Sequence, residues 1–412
     1  MESLLVRLIN ESFCWSMRTN KKIRFIALTI FSQQGGIEKF NRAFIHAGAG
    51  VLQQQPFRFI ASAMYDHAHE VDQRYISNDL FQPGNSKKIG FVLKNIIQGL
   101  RSDYVVLGHL NLALIGYVIK LLSPKTRVWL ICHGIEVFEP VSGIKRKILQ
   151  MADRILAVST HTKNQLINKQ GLSSSKIHVF PNTIDPFFQF PEKFEKPAYL
   201  KERYGIQPGQ KVLYTLTRLN GKEGYKGYDT VIEVLGALKQ EGVLLKYIIA
   251  GKSDPQEEQR VKQLIAKWNL EESVLLTGFL PDTELTDHFL LADLFVMPSK
   301  GEGFGIVFIE AMACGLPVLA GNKDGSTEAL QFGQLGTLVD PDNKEKILLS
   351  IKELLGAPKD AQQIQAQMLQ FFSFETFQRR TASLFMDMHL EHSTLGVLNR
   401  NQAKNQTSYT KK

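Results

Sequence analysis

Short apolar runs alternate along the chain with longer stretches in which apolar residues recur at helical spacing. This alternation is typical of βαβ units, in which helices cover both faces of a parallel sheet. The runs fall into two series, each long enough to form its own sheet. Strands are predicted at residues 23–29, 57–63, 104–107, 128–132 and 154–159, and in the second series at residues 212–217, 244–250, 274–277, 294–297, 317–320 and 337–339. The pattern therefore predicts an α/β fold with two Rossmann-like, doubly wound domains.

The stretch between the two series contains several prolines among charged residues, a composition that suits a connector better than a buried element. Open parallel sheets bind ligands at the carboxyl ends of their strands, so two such domains are expected to face each other across a cleft that holds the ligand. The predicted organisation is an N-terminal extension or surface-lying helix (1–20), a first domain (21–185), a linker (186–209), a second domain (210–373), a helix that crosses back to the first domain (374–392) and a disordered tail (393–412).

Charge is unevenly distributed over the 412 residues, whose formal net charge is +9. Residues 1–200 contain 25 Lys and Arg against 14 Asp and Glu, a surplus of 11, whereas residues 201–412 contain 24 against 26. The basic half indicates an anionic partner, namely a phospholipid surface, a lipid-diphosphate acceptor or a nucleic acid, unless it is simply a solvated surface. Nucleic acid is not favoured, because no aromatic residues are interleaved with the basic ones.

Two further features concern the compartment. Three scattered cysteines do not form a disulfide framework, so we expect a reducing, cytoplasmic environment. No stretch approaches the roughly 20 apolar residues of a membrane-spanning helix, since the longest candidate, residues 110–122, is short and contains Lys120. We therefore expect a cytoplasmic protein that can associate peripherally with the inner face of a membrane.

The segment 297–318 carries the most informative motif. Gly303 and Gly305 follow a predicted strand and open a helix, where free backbone N–H groups and the helix dipole attract an anion such as a diphosphate. Glu302 lies in the turn and Glu310 two helical turns further on, so the two carboxylates serve different parts of one long ligand. Glu310 is a candidate for binding ribose hydroxyls and Glu302 for contacting the transferred sugar. A capped helix with two solvated acids is the alternative.

This segment resembles the E-x7-E motif of the retaining glycosyltransferase family 4, whose members have the GT-B fold. The resemblance extends over nearly the whole chain, and the order and spacing of its blocks are more specific than any single block. The blocks are Gln34-Gly35-Gly36-Ile37-Glu38, Ala157-Val158-Ser159, Pro181-Asn182-Thr183-Ile184-Asp185, Arg218 and Lys226-Gly227-Tyr228.

The resemblance implies roles for individual residues. Arg218 and Lys226 correspond to the pair that holds the donor phosphates and stabilises the leaving group, and His133 to a histidine that contacts the sugar or the developing charge. Taken alone, Lys226 could be a solvated lysine, His133 a structural histidine, and the first glycine pair a simple turn. The implied catalytic residues are Arg218, Lys226, Glu302 and His133. The implied donor-binding residues are Gly35, Gly36, Gly303, Phe304, Gly305 and Glu310.

No obligatory metal and no other cofactor is expected, because the fixed cations would neutralise the leaving diphosphate and no His, Cys and Asp cluster has ligand spacing. Two departures from the family pattern affect loop geometry. Thr183 stands where the family often has glycine, and eight positions separate Arg218 from Lys226. Asp185 is interpreted as a structural residue at the crossing between domains.

The sequence thus predicts a retaining glycosyltransferase that moves a sugar from a UDP-, GDP- or ADP-sugar to a sugar or a lipid-linked acceptor. Because no carboxylate is placed as a covalent nucleophile, the resemblance favours front-face attack assisted by the leaving phosphate. Synthesis of polysaccharide, lipopolysaccharide or glycolipid is the expected context. The alternatives are an epimerase or a sucrose-synthase-like enzyme on the same fold, and a non-catalytic protein that binds nucleotide-sugars.

Overall fold

The computed structural model describes residues 21–52 and 57–386. The extension predicted at residues 1–20 and the tail predicted at residues 393–412 lie outside the described residues, as does the end of the last predicted helix. Within the described ranges, no helix is long and apolar enough to cross a bilayer.

The first sheet has seven strands, all parallel, in the order β3-β2-β1-β4-β5-β6-β7. Its strands are β1 (Lys21–Ala27), β2 (Phe57–Ala63), β3 (Phe81–Pro83), β4 (Tyr104–Leu107), β5 (Arg127–Cys132), β6 (Arg154–Ala157) and β7 (Ile177–Val179). The helices that cover it are α1 (Gly36–Leu52), α2 (Lys88–Gly99), α3 (Ala113–Leu122), α4 (Gly143–Met151) and α5 (Thr160–Asn168).

The second sheet has six parallel strands in the order β10-β9-β8-β11-β12-β13. Its strands are β8 (Lys211–Leu216), β9 (Leu245–Ala250), β10 (Val274–Gly278), β11 (Leu294–Met297), β12 (Val318–Gly321) and β13 (Thr337–Val339). The associated helices are α6 (Ala198–Arg203), α7 (Tyr228–Gln240), α8 (Pro255–Lys267), α9 (Asp282–Leu291), α10 (Ile306–Ala313), α11 (Ser326–Ala329), α12 (Lys344–Gly356) and α13 (Ala361–Phe372). Residues 374–386 form a final helix, α14.

Two parallel sheets of this kind confirm the predicted α/β class. The central strands are buried on both faces, as in β4 and β11, where every residue is buried, and such strands read as continuous apolar runs rather than alternating ones. Two strands of the first sheet, β3 and β7, were not predicted from the pattern. Each has three residues, too few for the apolar periodicity to stand out from the neighbouring loops.

Strand order determines where a ligand can bind. In each sheet the winding direction reverses beside the first strand of the series, between β1 and β4 and between β8 and β11. At such a switch point the loops after two adjacent strands run in opposite directions. A crevice therefore forms between them at the carboxyl edge of the sheet. The β1–α1 loop and the loop after β8 are therefore the parts of the fold that should form the site.

The chain passes between the two sheets twice. At the first passage the hydroxyl of buried Thr183 donates a hydrogen bond to the carbonyl of Phe372 at 2.9 Å, so this departure from the family pattern ties the crossing to the end of α13. At the second passage α14 returns to the first sheet. Its Phe377 is fully buried, with ring centroids 5.8 Å from Phe40 and 5.0 Å from Phe180.

Candidate functional site

A cavity of about 270 Å³ opens at the switch point of the first sheet. The β1–α1 loop and the start of α1 provide most of its wall, including the predicted residues Gly35 and Gly36. Arg218 enters the wall from the second sheet, so residues from both domains contribute to one cavity. The lining residues are Leu28, Thr29, Gln33, Gln34, Gly35, Gly36, Ile37, Glu38, Asn41, Tyr65, His109 and Arg218.

A buried carboxylate holds the β1–α1 loop in place. Asp66, which is fully buried after β2, accepts hydrogen bonds from the backbone N–H groups of Ile30, Phe31 and Ser32 and from the Ser32 hydroxyl at 2.7 Å. Several donors on one carboxylate make a rigid turn. The glycine pair that follows is thereby presented to the cavity by a fixed backbone.

Arg218 and Lys226 follow β8 but lie in different surroundings. The Arg218 side chain is 68% exposed, lines the cavity and pairs with Glu223 at 2.8 Å. Lys226 ends a 3-10 helix (Gly221–Lys226) and forms an ion pair with Glu302, with both side chains largely buried. Burial alone would lower the pKa of the Lys226 ammonium, but the neighbouring Glu302 carboxylate more than offsets this and the pKa is raised. Arg218 is therefore the cation that faces the cavity, and Lys226 neutralises Glu302.

Hydrogen bonds to Asp324 hold the turn that carries Glu302. The Asp324 carboxylate accepts the Glu302 N–H at 2.7 Å and the Ser326 N–H at 2.9 Å, and the Gly325 N–H donates to the Glu302 carbonyl at 2.9 Å. Burial raises the pKa of the Asp324 carboxyl, and these hydrogen bonds offset part of the increase. The position of Glu302 is therefore set by the backbone as well as by Lys226.

The glycine turn after β11 is in contact with the first domain. A Cβ at Gly303 would lie 1.7 Å from the carbonyl oxygen of His133, so only glycine allows this approach. Gly305 caps α10 in the left-handed region, at a φ of 86°, and the Phe304 side chain is buried against Phe372. In this arrangement the first domain's backbone covers part of the turn that was predicted to be open to a diphosphate.

His133 is held by the protein itself. Its Nε2 lies 2.8 Å from the carbonyl oxygen of Gly108, and its backbone N–H donates to Glu136 at 2.6 Å. The neighbouring ring that does reach the cavity belongs to His109, 6.1 Å away between ring centroids. Burial lowers the pKa of His109 to about 4, so the imidazole is neutral at pH 7, and its Nδ1 accepts the Asn111 N–H at 2.9 Å. His133 packs behind the cavity and His109 lines it.

Glu310, the predicted ribose ligand, is 2% exposed on α10 and forms an ion pair with Lys39 of α1. The pair joins the two domains across the cleft. Burial raises the pKa of the Glu310 carboxyl, and Lys39 offsets part of the increase. The other carboxylate oxygen, Oε2, is buried without a hydrogen-bond partner. A buried acceptor without a donor is costly, and a ligand hydroxyl would satisfy it.

A second carboxylate also crosses between the domains. Glu328 of α11 accepts the Thr160 N–H and the Thr160 hydroxyl, the latter at 2.9 Å, at the first turn of α5. The first N–H groups of a helix lack partners inside the helix, and Glu328 supplies an acceptor for them from the other domain, beside the N-cap residue Ser159. Two contacts between the domains, Lys39 with Glu310 and Thr160 with Glu328, are thus made by carboxylates of the second domain.

The expectation of metal independence assumed that the chain has no Asp-x-Asp sequence, a pattern that can hold a divalent cation, and this premise is wrong, because Asp340 and Asp342 form one. Both carboxylates are paired with Lys323, at 2.6 and 2.7 Å, and lie after β13. In the part of the chain that the structure describes, no three His, Cys, Asp or Glu side chains converge as a metal site. Independence from metal stays a prediction.

Sequence reasoning did not single out several residues that shape the site. Asp66 and Glu328 are isolated acids with no motif around them, and Lys39 gives no sign that its partner lies 271 residues further along the chain. His109 could have been considered, because it directly follows β4 at the carboxyl edge of the first sheet. The remaining cavity residues that belong to no motif are Leu28, Thr29, Gln33, Asn41 and Tyr65.

Comparison with known proteins places these features in a family. Residues 199–369 match the family described as glycosyl transferases group 1, and residues 53–187 match glycosyltransferase family 4. A GDP-mannose-dependent alpha-(1-6)-phosphatidylinositol monomannoside mannosyltransferase of Mycolicibacterium smegmatis is 30% identical over 262 residues, 61% of this chain and 66% of that protein. Mannosylfructose-phosphate synthase of Agrobacterium fabrum is 29% identical over 206 residues, 48% of this chain and 44% of that protein. The matches to these relatives thus span 44–66% of their length.

The fold is shared more widely than the sequence. The crystal structure of HepE from Anabaena in complex with UDP and glucose superposes with a TM-score of 0.71 at 20% identity, covering 89% of this chain and 100% of that one. Sucrose-phosphate synthase from Thermosynechococcus elongatus gives a TM-score of 0.70 at 18% identity, covering 90% and 100%. With its two facing Rossmann-like domains, the E-x7-E segment and both family matches, the chain belongs to glycosyltransferase family 4 and has the GT-B fold.

Proposed function

We propose that this protein transfers a sugar from a nucleotide-sugar donor to an acceptor, with retention of anomeric configuration. The observation that carries the proposal is the interdomain cavity, where the exposed cation Arg218 faces the glycine turn at Gly35 and Gly36. A cation beside a glycine turn at the start of a helix suits a diphosphate leaving group. The relative whose name specifies GDP-mannose supports a nucleotide-sugar donor.

The donor occupies the second domain in this proposal. The unpartnered Oε2 of buried Glu310 accepts a ribose hydroxyl, while Lys39 holds Oε1. Glu302, neutralised by Lys226, contacts the transferred sugar near the His133 backbone. The acceptor approaches from the first domain, past His109 and Tyr65. Front-face attack with the leaving phosphate as proton acceptor accounts for retention, and synthesis of polysaccharide, lipopolysaccharide or glycolipid is the proposed context.

The first test is a donor screen. Purified protein is mixed with UDP-, GDP- and ADP-sugars and a membrane lipid extract, and nucleotide release is followed with and without EDTA. Acceptor-dependent release that survives EDTA supports a metal-independent transferase and identifies the donor. Binding of a nucleotide-sugar without release on any acceptor would instead indicate a non-catalytic binding protein.

Arg218→Ala tests the assigned leaving-group cation. We expect at least a hundredfold loss of kcat with unchanged folding, because a positioned charge acts on the transition state. Arg101→Ala, an exposed arginine outside the cavity, is the matched control and should keep full activity. Near-normal turnover of Arg218→Ala would contradict the role proposed for this residue.

A further inference from the structure

An apolar and basic surface covers the outer side of three neighbouring helices of the first domain. Helices α2, α3 and α4 pack side by side over a shared core that includes Phe91, Ile119 and Ile148. On α2, Ile89, Leu93 and Ile97 are exposed at 80%, 56% and 53% and follow one another at intervals of one helical turn. We call this surface the docking face. Its other exposed aliphatic residues are Leu114, Leu121 and Leu122 on α3 and Ile144 on α4.

The same helices carry charge of one sign. Their sequences contain Lys88, Lys94, Lys120, Lys145, Arg146 and Lys147 and no Asp or Glu. Lys120 is neutralised by Asp153, whereas the lysines of α2 and the basic run of α4 are exposed. Helices α8 and α12 of the second domain, by contrast, carry acidic and basic residues together. The five basic residues of α2 and α4 therefore contribute to the charge surplus of the N-terminal half of the sequence.

The docking face meets the rim of the cavity. Helices of a doubly wound sheet begin at the carboxyl edge of the strands, the edge where the ligand binds. Ile89, Leu114 and Ile144 are each the second residue of their helix, so all three lie at that edge. The Lys88 ammonium lies 5.6 Å from the ring centroid of Tyr65, which lines the cavity. One continuous surface thus runs from the outer face of α2 into the cavity wall.

We propose that this docking face binds an anionic phospholipid bilayer, with Ile89, Leu93 and Ile97 entering the headgroup region and the lysines contacting lipid phosphates. Exposed aliphatic side chains combined with a surplus of Lys and Arg are the properties that bind such a surface. A second copy of the chain is a poorer occupant, because two basic faces repel each other. The proposal goes beyond sugar transfer, since docking requires neither donor nor turnover, and it brings the cavity mouth to the membrane where a lipid-linked acceptor would lie.

Vesicle sedimentation with the full chain tests the proposal. Vesicles of phosphatidylcholine alone are compared with vesicles that also contain phosphatidylglycerol, in the absence of any nucleotide-sugar. The apolar variant carries Ile89→Ser, Leu93→Ser and Ile97→Ser. Its matched control carries Leu244→Ser and Leu349→Ser, two exposed leucines of the second domain. Both variants should remain folded, because every substituted side chain is exposed.

We expect the wild type and the control to bind the anionic vesicles and not those of phosphatidylcholine alone, and the apolar variant to bind at least about tenfold more weakly. A charge variant with Lys94→Glu, Lys145→Glu and Arg146→Glu should also lose binding, unlike its control with Lys201→Glu and Lys346→Glu. Wild-type protein that stays in solution with anionic vesicles would overturn the proposal.

Two other results would also overturn it. Equal binding of the apolar variant and its control would place the contact elsewhere, for example in residues 1–20, which every variant retains. A wild-type dimer that the apolar variant converts to a monomer, measured by light scattering, would assign the face to a second copy. Because the assay contains no donor, its result is independent of whether the protein transfers sugar.

Discussion

At the residue scale, the pair formed by Lys39 and Glu310 links donor recognition to closure of the cleft. Lys39, from the other domain, pairs with one oxygen of the Glu310 carboxylate that is expected to bind ribose. The second carboxylate oxygen has no hydrogen-bond partner. In an open cleft, water would hydrate both groups, so removal of one partner disfavours the closed arrangement rather than the fold of either domain. The predicted role of Glu310 therefore depends on a residue that the motif does not contain.

Lys39→Met should weaken nucleotide binding by about tenfold, which corresponds to about 1.4 kcal/mol, and should increase the radius of gyration. The physical reason is that Glu310 would be left buried and unpaired if the cleft closed. Calorimetric titration and small-angle scattering measure the two effects. In the double variant with Glu310→Gln the radius of gyration should fall back toward the wild-type value, because the unpaired charge is gone. An unchanged radius of gyration for Lys39→Met alone would show that the pair does not control closure.

His109 makes stability depend on pH. Its folded-state pKa of about 4 lies below the ordinary value of 6.5, so between these pH values the unfolded chain binds the extra proton and the folded chain does not. The free energy of unfolding should therefore fall as the pH drops from about 6.5 to 4, by on the order of 1–3 kcal/mol. His109→Asn, whose side-chain oxygen can still accept the Asn111 N–H, should reduce this loss. Equal pH dependence in urea unfolding of both proteins would contradict the assignment.

At the scale of elements, the approach of the turn after β11 to the end of β5 depends on a missing side chain. Gly303 packs against the backbone of His133 and Gly134, and there is no space for a methyl group. A shift of about 1 Å at a reacting centre can reduce the rate by about a hundredfold. The contact therefore couples the position of Glu302 to the first domain.

Gly303→Ala should lower kcat by about a hundredfold while leaving each domain folded, because the added Cβ prevents the turn from reaching His133. Gly356→Ala is the control, since a Cβ at that position meets no atom within 4 Å. Circular dichroism checks the fold and a transfer assay measures the rate. Full activity of Gly303→Ala would mean that the observed closure is not the active arrangement.

At the scale of the whole molecule, the two domains are joined by α14 as well as by the cleft contacts. Phe377 is buried among aromatic residues of the first domain, although it follows the strands of the second. Glu328 of the second domain adds a polar contact, because its carboxylate accepts a hydrogen bond at the first turn of a helix of the first domain. These connections predict that the two domains unfold together.

Phe377→Ala should cost about 3–5 kcal/mol and separate the single unfolding transition into two, because a large buried ring is lost from the interdomain contact. Leu349→Ala, which removes an exposed side chain from α12, is the control and should leave one transition. Differential scanning calorimetry makes the comparison. One transition at an unchanged Tm for Phe377→Ala would show that α14 does not couple the domains.

The sequence by itself determined the two-sheet α/β class, most strands and the blocks that mark the family. These depend on local patterns: buried parallel strands read as apolar runs, and glycines and carboxylates recur at set spacings around a βα turn. The three-residue strands β3 and β7 escaped, because so short a run has no distinct period, whereas β13 was recognised from its apolar residues. Arg218, Gly35 and Gly36, which line the cavity, could be singled out because each lies in the segment that follows a recognisable first strand.

Only the tertiary structure decided which of these groups meet. Lys39 reaches Glu310, Glu328 reaches Thr160, and Gly303 reaches His133, in each case between domains and over more than 160 positions of sequence. No local pattern encodes such contacts, because they depend on how two separately folded sheets close on each other. Tertiary structure also decides that Arg218 lines the cavity while Lys226 pairs with Glu302. The sequence shows only two cations, and the folded chain gives each a different neighbour.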